Sequence, residues 1–205
     1  MKNVELPERL AKAFRNEHYL AINKARMDHL ESLNINWKDK SFLELGAGIG
    51  DFTEWLTEHG AIVTAIDGRR ENVDYLLQLG YDAYWLDLNE RHEFRFELRE
   101  RFDIAFCYGL LYHLTRPWNL LRSLYCIPTL LLETRIAETF HDEYEPNDDP
   151  SQSITGHAFI PTRDMLWGAL SISWQDVGIP IPLPLHDEYK KEQRIVFRAQ
   201  GEIYQ

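Results

Sequence analysis

No apolar run in these 205 residues approaches the roughly 20 residues a helix needs to cross a bilayer. No membrane-embedded segment is therefore expected. The opening stretch MKNVELPERLAKAFRNEH is too polar to serve as a secretory leader. Cysteine is scarce: Cys107 falls in an expected strand and Cys126 at an expected helix end. Such a pair gives no disulfide framework and reads as core thiols in a reducing, cytoplasmic setting. Basic residues are also in the minority. Lys and Arg number 22 against 33 Asp and Glu, a formal net charge of −11. That balance argues against a long nucleic-acid backbone as partner, because phosphate neutralisation needs clustered cations. One arginine-rich stretch exists, with Arg91, Arg95, Arg99 and Arg101. It is interleaved with Glu90, Glu93, Glu97 and Glu100 and reads as a self-paired, solvated helix face.

What is present has an ordinary globular composition, 44% hydrophobic and 27% charged. The length suits one domain, 1–205, around a single core. Leu10, Phe14, Ala21, Ala25 and Leu33 recur at roughly helical spacing and predict a helix over 8–33, opening after Pro7. Short β-rich runs then alternate with helical segments. Strands are expected at 41–46, 61–66, 82–86, 102–107 and 129–133, and helices at 51–59, 70–79 and 116–125. Gly60 and Gly80 stand where C-caps belong, and Thr115 before Pro117 marks a helix start. After 133 the alternation fails. Residues 145–157 read as a loop, 161–170 as a helix, 171–177 as a sixth strand, 178–193 as a proline-interrupted connection and 194–199 as a last strand. The pattern predicts an α/β fold with a parallel sheet wound on both faces.

The most informative stretch is SFLELGAGIGDF, 41–52: a buried strand running into a glycine-rich turn and then a helix. Gly46, Gly48 and Gly50 let a ligand approach the backbone where a Cβ would block it. AIVTAID follows and ends on Asp67, a carboxylate placed to accept two hydrogen bonds from a ribose diol. A glycine loop alone is a weak signal. Here the spacing is G-x-G-x-G, and Asp51 follows the last glycine at the coming helix N-terminus. A carboxylate there repels a pyrophosphate seeking the same place. A ligand with a ribose and no phosphate fits better.

ELGAGIG followed by ID closely resembles the first two motifs of the class I S-adenosylmethionine (SAM)-dependent methyltransferases. WLDLNE resembles the family's third-strand motif, and FDIAFCYGLLYHL its fourth-strand motif with the Y-H-L that follows. The match spans roughly 41–134. The resemblance implies a seven-stranded, mostly parallel doubly wound sheet, its last strand antiparallel between the fifth and sixth. It also implies an N-terminal helical cap at 1–35, a cofactor-binding half at 41–134 and a substrate-side half at 135–205. It implies SAM as cofactor and S-adenosylhomocysteine (SAH) as product. Glu44, Gly46, Ala47, Gly48 and Gly50 would surround the methionine part, and Asp67, Gly68 and Arg69 the ribose. Asp87 and Leu88 would bracket the adenine, with Tyr108 beside the cofactor and Arg26 near its carboxylate. Asp67 and Asp87 each have a plainer alternative as turn-capping residues.

Methyl transfer needs an in-line approach of a nucleophile, and a base helps when that nucleophile is a hydroxyl or a protonated amine. His113 is the candidate base or orienting group, because imidazole titrates near neutrality; its alternative is a turn-holding role. Tyr112 is expected in the acceptor pocket or the core, and Tyr19 and His157 on the acceptor side. The acidic run HDEYEPNDD, 141–149, reads as a solvated loop or as a lid attracting a cation. Metal-dependent relatives carry an aspartate after strand four and an Asp-Asn pair after strand five. Here those places hold Tyr108-Gly109 and Glu133-Thr134, so no metal site is expected. The leading expectation is a methyltransferase acting at oxygen or nitrogen of a small molecule. Three rivals stay open: an NAD(P)-dependent oxidoreductase, favoured by Arg69 and Arg70, a tRNA-modifying methyltransferase, and a non-catalytic SAM-binding module.

Overall fold

A computed structural model describes residues 4–89, 101–144, 147–183 and 193–201; the segment 90–100, with most of the arginine-rich run, lies outside the described residues. Five parallel strands stand side by side in the order β3 (Asp82–Trp85), β2 (Ile62–Asp67), β1 (Ser41–Leu45), β4 (Ile104–Tyr108) and β5 (Thr129–Ile136). β10 (Gln193–Gln200) pairs antiparallel with β5, and β8 (Asp176–Val177) and β9 (Ile181–Pro182) pair antiparallel with β10. The sheet thus has eight strands, the expected seven plus two-residue β9. A separate antiparallel ribbon joins β6 (His141–Tyr144) to β7 (His157–Ile160).

Central strands in such a sheet are buried on both faces, and alternate side chains serve different layers. Leu43, Leu45, Ala105 and Cys107 pack with Leu120 and Leu166 of helices α5 (Pro117–Leu124) and α6 (Arg163–Ser173). The intervening Phe42, Ile104 and Phe106 pack with Trp37 and with Phe52 and Trp55 of α3 (Asp51–Glu58). Strand order reverses between β1 and β4. That reversal opens a crevice at the carboxyl ends of the strands.

Several boundaries differ from the expected ones for local reasons. The helix over 8–33 is two helices, α1 (Glu8–Phe14) and α2 (Glu17–Ser32). Asn16 breaks it: its side chain accepts a hydrogen bond from Tyr19 N at 2.9 Å and caps α2. The first three residues of the expected sixth strand, 171–173, continue α6, because Leu166, Leu170 and Trp174 recur every four residues and are all buried. Only Asp176–Val177 pairs as a strand. Thr115 is not the cap of α5, where Arg116 stands without a side-chain cap. Its N–H and hydroxyl instead meet Asn89 Oδ1 at 2.9 and 3.1 Å. Gly80 does close α4 (Arg70–Leu79) in a left-handed conformation, φ 96°.

Candidate functional site

One cleft at the crevice is lined by Gly46, Ala47 and Gly48 on one side and by Tyr108, Gly109, Tyr112 and His113 on the other. The glycine loop is built on backbone requirements. Gly46 and Gly48 have φ of 72° and 57°, and a Cβ on them would press on Leu110 and Phe14. Their turn is pinned to β2: Gly46 N and Ala47 N donate to Ile66 O at 2.8 and 3.0 Å. Gly48 N donates to Asp67 Oδ2 at 2.8 Å. The other oxygen, Oδ1, accepts from Arg69 N at 2.8 Å and Asn72 Nδ2 at 3.1 Å. Burial pushes the Asp67 carboxyl up to about 6, and these three donors oppose it.

The opposite wall rests on a buried ionic triad. Glu133 on β5 is fully buried, and two equally buried arginines share it. Arg26 of α2 reaches Oε2 at 2.7 Å and Arg194 of β10 reaches Oε1 at 3.1 Å. Burial alone would raise the Glu133 carboxyl, but the two guanidiniums outweigh it and hold it below its usual range. The network continues both ways. Arg26 also donates to Asn23 Oδ1, and Asn23 donates to Asp51, which carries a bidentate pair with Arg15. Arg194 donates to the Tyr112 hydroxyl at 3.2 Å and lies over its ring. Both Glu133 oxygens are thus held by cations, an arrangement opposite to a metal ligand's. Among the described residues, no cluster of three or more His, Cys, Asp or Glu is placed to hold a metal.

At the far end, Asp87 lines the cleft and also shapes its turn, accepting from Asn89 N at 2.9 Å and Asn89 Nδ2 at 3.0 Å. Gly68, Arg69 and Leu88 line the cleft too, and so do Arg26, which lies against Gly109, and Tyr19, both from α2. Three expected residues stand elsewhere. Glu44 shares the alternation of Phe42, under α3, where it accepts from Thr53 Oγ1 at 2.6 Å. Gly50 caps α3 with φ 90° and faces Leu76. His157 is exposed on β7, because Ala158 and Ile160 take the inward positions. The acidic run is used locally: Glu143 is a bidentate partner of Arg135 at 2.7 and 3.0 Å, and Asp149 holds Ser151. Arg135 and Arg194 line the cleft and were not anticipated. The one signal for Arg194 was a cation opening the apolar run IVF of an inner strand.

Glu44 yields a stability prediction. Burial pushes its carboxyl up to about 8, opposed by the Thr53 bond. The folded chain therefore binds a proton that the unfolded chain, titrating near 4.5, has lost. This part of the stability falls as pH rises from about 4.5 towards 8. Glu44→Gln should remove that slope and gain about 1–3 kcal/mol at the alkaline end. Urea unfolding of both proteins between pH 5 and 8.5 checks it; parallel curves would refute the assignment.

The sheet order, the antiparallel β10 beside β5 and a glycine turn closing on a carboxylate at the end of β2 define a class I methyltransferase fold. Residues 43–127 match the family model described as "Methyltransferase domain". A ubiquinone biosynthesis O-methyltransferase from Coxiella burnetii is 31% identical over 110 residues, 50% of this chain and 44% of the relative. The aligned part thus spans less than half the length of that curated relative. Among solved structures, the N-terminal domain of EvdMO1 with SAH bound aligns with a TM-score of 0.69 at 20% identity, covering 91% of this chain and 85% of that one. Magnesium protoporphyrin IX methyltransferase from Synechocystis PCC 6803 with bound SAH aligns at 0.67 and 14% identity, over 95% and 94% of the two chains. These structures share the fold. No described helix is long and apolar enough to cross a membrane.

Proposed function

We propose that this chain transfers a methyl group from SAM to an oxygen or nitrogen of a small-molecule acceptor. The observation that carries the reading is the Gly46–Gly48 turn closing on the buried Asp67 carboxylate. The residues fit the cofactor. The turn lines the cleft with backbone, and a Cβ at Gly46 or Gly48 would be driven against Leu110 or Phe14. Asp67 keeps about one acceptor site, on Oδ2, for a ribose hydroxyl beyond its three protein donors. A dinucleotide fits poorly, because Asp51 stands at the α3 N-terminus locked to Arg15. Arg69, the candidate for a 2′-phosphate, is bonded to backbone carbonyls instead.

When bound, SAM supplies an activated methyl group on a sulfonium. The protein's part is to hold and align. Asp67 takes the ribose, Arg26 offers a cation for the cofactor carboxylate, and Asp87 and Leu88 flank the adenine. His113 accepts the acceptor's proton at its imidazole, and Tyr112 forms the adjoining wall under Arg194. A cytoplasmic setting agrees with Cys107 and Cys126, which form no disulfide.

Isothermal titration tests the reading. SAH should bind, and NAD and NADP should not. The ionised carboxylate is the form that accepts the diol. With Asp67 titrating near 6, SAH affinity should fall about tenfold between pH 7 and pH 5. Asp67→Asn should bind more weakly at pH 7 and lose that slope. Tight NAD binding with no response to SAH would sink the proposal.

A further inference from the structure

We infer that residues 147–154 are part of the cofactor site: a strap that forms the outer wall of its adenosine end, held down by Arg69 and Asn72. The inference rests on the SAM reading above. Pro150, Ser151, Gln152, Ser153 and Ile154 line the same cleft as Asp67, Gly68 and Asp87, although they are some 80 residues away in sequence. The Ile154 side chain lies against Gly68 and leaves no room for a Cβ there. Ser153 Oγ donates to His113 O at 3.0 Å. The strap therefore runs from the ribose end of the cleft to the turn that carries the candidate base.

What fixes it is unusual for a surface loop, whose carbonyls ordinarily face water. Arg69 Nη2 donates to the carbonyls of Asn147, Gln152 and Ser153 at 2.8, 3.1 and 3.1 Å. Asn72 Nδ2 donates to Pro150 O at 3.2 Å. Arg9 of α1 reaches Asp148 O. Asp149 Oδ1 accepts from Ser151 N and Oγ at 2.8 and 2.7 Å, which preforms the turn. Arg69 and Asn72 are also the residues that hold Asp67, through the Arg69 backbone N–H and the same Asn72 amide. The ribose carboxylate and the strap thus share both anchors. A ligand on Asp67 stiffens the anchors on which the strap sits, and a docked strap stands across that ligand's way out. Arg69 acts here as a positioning residue, through backbone carbonyls.

The test measures SAH binding and dissociation on the full chain, by titration and by stopped-flow displacement. Ile154→Ala keeps every anchor and removes only the wall. It should raise the SAH dissociation rate several-fold, with an unchanged melting temperature of the ligand-free protein. Arg69→Ala should weaken SAH about tenfold or more, mainly through faster dissociation, since contact loss acts mostly on the off-rate. The double variant should show less than the product of the two effects, because both act on one strap. Wild-type dissociation rates in Ile154→Ala and in folded Arg69→Ala would overturn the inference while leaving the cofactor reading intact. If wild type itself fails to bind SAH, the cofactor reading falls and this inference with it. If Arg69→Ala does not fold, Ile154→Ala decides alone.

Discussion

Glu133→Ala should unfold about 3–5 kcal/mol more easily than wild type, the usual penalty for removing one partner of a buried ion pair. The reason is what stays behind. Arg26 and Arg194 are each at least nine-tenths buried, and Glu133 is the carboxylate that both of them hold. Without it two guanidiniums face one another across a void, cut off from water. This says nothing in favour of the triad as a source of stability, since an apolar replacement of all three can match it. It says that the triad cannot be dismantled from the middle. Glu133→Gln should fall between the two, because an amide oxygen accepts one bond while its NH2 group opposes a cation. Urea unfolding followed by circular dichroism gives the number. A loss below about 1 kcal/mol would match an exposed pair and mean that water reaches the site.

His113→Ala should lower turnover about 10²–10⁴-fold, the range for a lost general base, while SAH affinity changes little. The geometry allows that separation. His113 ends a short 3-10 turn, Leu111–His113, and its backbone is fixed at both ends. Its N–H donates to Leu110 O at 2.8 Å and its carbonyl accepts from Ser153. An alanine keeps both bonds. Its ring leans on Tyr112 at 4.0 Å between centroids and borders the cleft, so truncation removes a group from the acceptor side. Single-turnover assays with an identified acceptor, set beside melting temperatures, distinguish the two roles. A joint loss of stability and SAH affinity would make His113 a turn-holding residue. Wild-type turnover in a stable variant would leave positioning as the whole mechanism.

The glycine turn and the carboxylate it closes on were legible in the sequence because their requirements are local. A turn with positive φ favours glycine, and one with no room for a Cβ requires it, so Gly46 and Gly48 announce themselves, with a carboxylate at the end of the next strand. Glu44 shows the limit of reading letters without register: it shares Phe42's face, and strand alternation carries it beneath α3. The wall built on Glu133 was illegible for a different reason. Glu133 meets Arg194 only because β10 pairs with β5 so that Val196 stands opposite Glu133 and Arg194 lies two residues along. No local pattern encodes that pairing. The same holds for Arg69 and the carbonyls beyond 147, joined across some 80 residues. The split of the first helix was encoded, in Asn16, but a helical hydrophobic repeat running through it hid the cap.

The position of β10 also sets an order of events during synthesis. Chains emerge from the ribosome N-terminus first, and five parallel strands can pair before the antiparallel one exists. Until residue 194 is free of the exit tunnel, Glu133 has Arg26 as its partner and lacks the second cation, and Tyr112 lacks the guanidinium that covers its ring. A nascent chain halted before that point lacks both contacts that Arg194 makes to this wall. That wall of the cleft is complete only once the strand carrying Arg194 stands beside β5.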